Sequence, residues 1–266
     1  MGIQQQKFKI LLIGDSCVDK YHYGVCDRIS PEAPVPVFQY IDSVTCPGMS
    51  LNVKKNLEAF TNRIEIVLLT GEENIIKERY VDKVSGQHLL RVDSGDLNKA
   101  APLKLNKKIL EMIKSCDAMI LSDYEKGFLD HHNCLALTRE AKTLGRPVFV
   151  DTKKTDVSCF EGCFIKINQK EYELIDKKTL HEEQQIIVTC GKNGAVYKKK
   201  VFPSVPVDVI DVSGAGDTFL AVFAYKFLEH KDVPLAIESA VRASSYIVQK
   251  SGTYALRKED VKNICI

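Results

Sequence analysis

The sequence predicts a doubly wound α/β fold, a mostly parallel sheet between helices, carrying a small β-lid. Three observations predict it. Short apolar runs, several ending in glycine or aspartate, alternate with helical patterns along the whole chain, as a parallel sheet with crossover helices requires. A glycine-rich turn at 211–217 feeds straight into an apolar helix. Only two stretches, about 20–46 and 75–95, break the rhythm, so residues 1–266 are expected to form one domain with those stretches as its lid.

The elements follow in order. Residues 9–13 form a buried strand ended by Gly14, and Asp15 and Asp19 come next, where open α/β sheets place their function. These carboxylates either accept hydrogen bonds from hydroxyls or approach a cation, or serve as a turn aspartate and a helix cap. Three prolines and no helical period mark YHYGVCDRISPEAPVPVFQYIDSV, with Val35, Val37 and Tyr40 hinting at an edge strand. Pro47 and Gly48 open a helix over 51–60, and a second sheet strand covers 64–69. Around Tyr80, Val81 and Val84, alternation with a turn at Ser85-Gly86 reads as a hairpin bearing Lys77, Arg79, Gln87 and Arg91.

Residues 103–115 suit an amphipathic helix, 118–121 a buried strand, and 133–144 a helix stopped by Gly145 and Pro147. His131 and His132 are taken as capping or surface residues. Strands at 147–150, 165–167 and 186–188 deliver Asp151 and Lys153, then Asn168 to Glu171, then Thr189 to Gly194. Residues 198–200 suit a solvated hairpin end, 207–210 a short extended run, and 234–250 and 258–266 the last helices.

At the turn itself, Leu220, Phe223, Ala224, Phe227 and Leu228 recur at helical spacing, which puts Gly214, Ala215 and Gly216 at a helix N-terminus. Free N–H groups and the positive end of the macrodipole make that an anion site. Asp217 beside it either caps the helix or takes a proton from a hydroxyl attacking a phosphoryl group.

Composition narrows the function. The 37 basic and 35 acidic residues leave a formal charge of +2, without the basic excess that binds nucleic acid, so a small-molecule ligand is expected. Nine cysteines with no C-x-x-C pair support neither a disulfide framework nor a zinc site. The N-terminal run enters a strand too quickly for a signal peptide, and no apolar run is membrane-spanning, so the cytoplasm is expected and no membrane partner. No G-x-x-x-x-G-K-[ST] occurs, which excludes a P-loop.

DVSGAGDTF resembles the signature of the ribokinase-like (PfkB-type) carbohydrate kinases, and GDSCVDKYHYG followed by RISPEAPVPV resembles the D-glycero-β-D-manno-heptose 7-phosphate kinases, the kinase half of bifunctional heptose kinase/adenylyltransferases of lipopolysaccharide synthesis. The resemblance implies a ribokinase-like fold and ATP-dependent phosphorylation of a sugar or sugar phosphate, above all D-glycero-β-D-manno-heptose 7-phosphate to the 1,7-bisphosphate, with Asp217 as base and the 214–216 amides as anion hole. It implies a substrate site of Asp15, Asp19, Gly48, Asn52, Lys77, Arg79, Arg91 and Asp123. For ATP it implies Lys126, Lys153, Asn168, Glu171, Thr189, Gly191, Gly194, Lys250 and Gly252, with Asn168 and Glu171 meeting magnesium through water. A monovalent cation and a homodimer through the lid are raised by the same likeness. Nothing suggests the fused adenylyltransferase.

The chain departs from the family in two places. Met49 stands where a second glycine is expected, beside Lys54-Lys55 in place of small or apolar residues, and a helix and strand before the lid hairpin are missing. The alternatives are therefore a ribokinase-like kinase for a different sugar, or a weakened relative that binds nucleotide or a partner without turnover.

Overall fold

In the computed structural model, which describes residues 7–60, 63–71, 75–182 and 184–264, the chain forms two sheets. Its strands are β1 (Phe8–Gly14), β2 (Ser16–Val25), β3 (Gln39–Met49), β4 (Ile64–Thr70), β5 (Ile76–Asp82), β6 (His88–Ser94), β7 (Ala118–Asp123), β8 (Val148–Thr152), β9 (Phe164–Asn168), β10 (Gln185–Thr189), β11 (Ala195–Tyr197) and β12 (Lys200–Phe202). The helices are α1 (Ser50–Leu57), α2 (Lys107–Ser115), α3 (His131–Thr143), α4 (Gln169–Leu174), α5 (Ala215–His230), α6 (Val233–Ile247) and α7 (Lys258–Asn263).

The large sheet runs β12-β11-β10-β9-β8-β7-β1-β4, parallel from β10 to β4 and antiparallel at the β11–β12 edge. Its central strands are apolar on both faces because both are covered: Ile10 to Ile13 are buried, with α1, α5 and α6 over one face and α2 and α3 over the other. Helix α5 buries Thr218 to Lys226 without a break, so it lies inside the layer between sheet and α6. The order of winding reverses at β1, between β4 and β7, which opens a crevice at the carboxyl ends of these strands. The small sheet, β3-β2-β5-β6, is the lid.

Several expected elements differ. Asp19 lies inside lid strand β2 rather than in a turn or at a helix start, and Pro47 and Gly48 end β3 instead of opening α1. Val35 and Val37 belong to no named strand; Ile29 and Pro36 form an isolated bridge, and Tyr40 lies in the real edge strand β3, which starts at Gln39. Helix α2 begins only at Lys107, because the Asn106 side chain accepts from the Ile109 amide and caps it there. Asp130, not a histidine, caps α3, whose first two residues are His131 and His132. Residues 207–210 form no strand, and 208–210 are exposed. Part of the last expected helix, 265–266, lies outside the described residues, and α7 ends at Asn263. After edge strand β4 the chain enters the lid within a few residues, and β4 has no outer neighbour among the described residues.

Candidate active site

The ends of β1, β7, β8 and β9 meet the start of α5, and the local sequence explains why they can meet so closely. Gly214 caps α5 with φ of 82°, a conformation that favours glycine, and a Cβ there would stand 2.7 Å from Asn52 Nδ2. A Cβ on Gly216 would stand 2.7 Å from the Lys166 Nζ of β9. The two glycines therefore let the amides of the turn approach an amide and an ammonium at contact distance. Among the described residues the Gly214 and Gly216 amides have no acceptor, whereas that of Ala215, expected to share the anion hole, donates to the Val212 carbonyl (3.2 Å).

Asp217 is buried at the bottom of this site. Its Oδ2 accepts from Asn52 Nδ2 of α1 (2.9 Å) and its Oδ1 from the Tyr124 hydroxyl (2.8 Å). Burial pushes its pKa up to about 6; Asp151 pushes the same way, while the bonds from Asn52 and Tyr124 and the Lys166 charge oppose it. A carboxyl so placed is ionised at neutral pH and still basic enough to accept a proton. Behind it, Lys166 pairs with Asp151 (2.5 Å), both buried, and the Asp151 Oδ1 is left without a hydrogen-bond partner. Asn56 holds the frame: its Oδ1 accepts from Thr218 Oγ1 (2.9 Å) and the Leu256 amide (3.0 Å), tying α1 to α5 and to the C-terminal segment.

The expected substrate residues divide. Asp15 is buried under the cleft, where its Oδ2 accepts from the amides of Tyr124 (2.7 Å) and Lys126 (3.3 Å), and desolvation raises its pKa. Asp19 faces the cleft from β2, held by Arg79 (2.5 Å) and by Thr253 Oγ1 (3.2 Å); Gly48 lies beside it, since a Cβ there would be 2.5 Å from Asp19 Oδ2. Asp123 turns inward, accepting from Thr152 Oγ1 (2.7 Å) and Lys154 (2.9 Å), so it fastens a loop rather than facing the cleft. Of the lid cations, Arg91 makes a two-bond pair with Asp93 of its own strand (2.7 Å each), and Lys77 lies 5.9 Å from the Tyr124 ring centroid.

The expected nucleotide residues line the other side. Lys126 is paired with Asp96 (2.8 Å), and Lys153 is hydrogen-bonded to Glu171. Asn168 and Glu171 form a capping box on α4: the Asn168 Oδ1 accepts from the Glu171 amide (2.9 Å) and the Glu171 Oε2 from the Asn168 amide (2.8 Å). Thr189 ends β10 and donates to the Ile167 carbonyl (3.3 Å), with Gly191 and Gly194 bounding the tight turn into β11. Gly252 donates its amide to Asp211 (3.1 Å), and Lys250 lies over the Tyr246 ring.

Sequence reasoning passed over Tyr124 and Lys166. The tyrosine sat in a motif read through its charged neighbours, and the lysine was visible only as the one charge inside the apolar run FIKIN.

Residues 91–260 match the model of the pfkB family of carbohydrate kinases. Among curated relatives, Bifunctional protein HldE of Campylobacter jejuni subsp. doylei is 31% identical over 98% of this chain and 65% of its own length, and that of Pseudomonas putida F1 is 28% identical over 95% and 63%. The chain thus spans just under two thirds of these relatives. The first alignment runs over 304 residues, more than the 266 of this chain, so the relative carries residues with no counterpart here. Among solved structures, Arabidopsis thaliana ribokinase complexed with ribose and ATP is similar with a TM-score of 0.70 at 15% identity over 97% of this chain and 99% of that one. Phosphofructokinase-2 from Escherichia coli is similar with a TM-score of 0.72 at 17% identity over 98% of each. The folds are the same, ribokinase-like, and the chain belongs to the pfkB family of carbohydrate kinases.

Proposed function

We propose that this carbohydrate kinase transfers the γ-phosphoryl group of ATP to the anomeric hydroxyl of D-glycero-β-D-manno-heptose 7-phosphate, giving the 1,7-bisphosphate and ADP. The observation that carries the reaction is a buried carboxylate, Asp217, one residue past unengaged amides at the start of a long helix. The sugar oxygen attacks phosphorus, Asp217 takes its proton, the bond to the β-phosphate oxygen breaks, and the Gly214 and Gly216 amides stabilise charge on the transferring group. Lys166, against Gly216, adds a fixed positive charge at the same place. Asp19 and Asn52 orient the sugar, Lys77 meets its phosphate, and the lid excludes water.

Magnesium supplies charge neutralisation on the phosphates when bound. The Asn168 and Glu171 side chains each accept from the other's backbone amide, Glu171 also accepts from Lys153, and among the described residues no group of three or more acids, histidines or cysteines is arranged to hold a metal. These side chains therefore fit a magnesium ion that arrives on the nucleotide and is met through water.

The heptose assignment is supported by the likeness to HldE over nearly the whole chain and by the run from Arg28 to Val37. A second reading, a different sugar, is favoured by Met49, which is buried beside the sugar residues with φ of 55°. A homodimer through the lid is supported by the exposed Val18, Tyr40 and Leu90 on that sheet. No described helix is long and apolar enough to cross a membrane. The test is ADP release over a panel of sugars and sugar phosphates: heptose 7-phosphate is expected to give the highest kcat/KM, and a better substrate elsewhere in the panel overturns the assignment.

A further inference from the structure

Tyr124 enters the cleft from the segment after β7, and the chemistry above does not use it. Its main chain is fixed by the bond from its amide to Asp15 (2.7 Å), and its ring packs with Cys17, Met49 and Ile75. Two ammonium groups flank the ring, Lys153 from the end of β8 at 5.2 Å and Lys77 from lid strand β5 at 5.9 Å from the centroid. The hydroxyl ends on Asp217 Oδ1 at 2.8 Å. Burial and the neighbouring carboxylates hold this phenol well above its ordinary range, so it stays protonated and acts toward Asp217 as a donor.

We infer that Tyr124 is a positioning residue for the phosphoryl transfer, its hydroxyl holding the Asp217 carboxylate in the ionised, oriented form that receives the sugar proton. The inference rests on the reading of Asp217 as base. A donor on a carboxylate favours the charged form, and one bond to each oxygen fixes the plane of the group. The groups facing Asp217 are Asn52 of α1, Asp151 of β8, Lys153 beyond it, Lys166 of β9, Cys17 of β2 and Tyr124. From α6, Ser244 reaches the start of the helix by donating to the Ala215 carbonyl (3.1 Å). Asn52 has a second duty at the sugar, and Lys166 is held by Asp151. Asn52 also accepts from Asn56 through its Oδ1 (3.3 Å), whereas the single polar atom of the Tyr124 side chain bonds to Asp217 and to no other group among the described residues.

The test is Tyr124→Phe, which keeps the ring and its packing, with kcat followed from about pH 5 to about pH 9. The expected result is an acid limb displaced upward by roughly one pH unit, the worth of one hydrogen bond to a charged group, with a loss near tenfold below the limb and little above it. An acid limb in the wild-type position, with any loss uniform in pH, overturns the inference. A second measurement needs no turnover: the carboxyl of Asp217, followed by carbon NMR in aspartate-labelled protein, is expected to titrate higher in the variant, and an unchanged midpoint overturns the inference. Asp217→Asn assayed alongside separates the two levels. Wild-type turnover in that variant removes the base itself, whereas an inactive variant with an unmoved Tyr124→Phe limb removes only the role of Tyr124.

Discussion

At the helix end of the cleft, charged groups are paired deep inside the chain, Lys166 with Asp151 and Asp217 with two neutral donors, while at the lid end Arg91 and Asp93 are paired in the open. The energetic consequences are opposite. Removing one partner of a buried pair leaves an uncompensated charge and costs about 3–5 kcal/mol, whereas an exposed pair is worth about 0–1 kcal/mol and can be exchanged for a ligand. The lid itself repeats the contrast: Arg79 and Asp19 are both buried, and Lys77 has no carboxylate at ion-pair distance among the described residues. On the proposed reading the proton acceptor and the sugar-orienting Asp19 and Asn52 are held in the packed interior, and Lys77, without such a partner, is left to meet a ligand.

The largest expected effect breaks the helix end. Asp217→Asn should keep ATP binding but lower kcat by ~100 to 10,000-fold, since the amide fills the same space at the start of the helix yet cannot take a proton. Near-wild-type kcat in this variant would remove Asp217 as base. With Asp217 as the base, kcat of the wild type should fall as the pH drops through about 6. Stability moves the other way. A folded-state value above the 3.8 of an ordinary aspartate means the fold binds this proton more tightly than the unfolded chain does. This group therefore adds stability as the pH falls through about 6, and works against the fold above it. The asparagine variant should melt no lower than wild type at neutral pH; a clear drop in Tm would contradict the desolvation account.

A smaller effect sorts the lid cations. Lys77→Met should raise KM for a sugar phosphate about tenfold while leaving the unphosphorylated sugar unaffected, and the preference for the phosphorylated sugar should shrink with salt. Arg91→Met should change it by less, because Asp93 already takes that charge, and Arg79→Met should show itself first in stability, by leaving Asp19 buried and unpaired. Equal KM changes for Lys77→Met and Arg91→Met, measured with both sugars, would erase the distinction between them.

The same contrast decides what the sequence reveals. The core strands and α5 were legible because burial on both faces leaves continuous apolar runs and glycines mark the turn. Lid strand β2 was not, because its cleft-facing residues Asp19, Tyr21 and Tyr23 are polar or amphipathic and alternate with Val18, Lys20 and His22 on the other face. A strand with polar or amphipathic residues on both faces, Asp19 and Tyr21 on one and Lys20 and the buried His22 on the other, gives no period-two signal. Charged residues in the core misled differently: Asp123 follows an apolar run as a ligand would, yet its bonds to Thr152 and Lys154 only fasten the loop. Such pairings depend on residues distant in the chain, and no local pattern carries them.

The smallest expected effect tests where the two regions join. Met49, the last residue of β3 and the cap of α1, has φ 55°, ψ −131°, backbone that glycine adopts readily and a side chain does not, so strain of roughly 1–3 kcal/mol is stored there. Its thioether is buried with Cys17, Ile75 and Tyr124, and the preceding residue, the glycine at 48, lies against Asp19. Met49→Gly removes that strain and that packing together, two terms of similar size and opposite sign, so the melting temperature should move little. Kinetics then decide the sugar. If the thioether crowds a heptose site, the variant should lower KM for heptose 7-phosphate several-fold at nearly constant kcat, the mark of binding gained equally in ground and transition states. If it shapes a pocket for another sugar, KM for that sugar should rise and heptose 7-phosphate should gain nothing. Identical constants for every sugar would place Met49 outside the substrate site, and the junction would then be structural only.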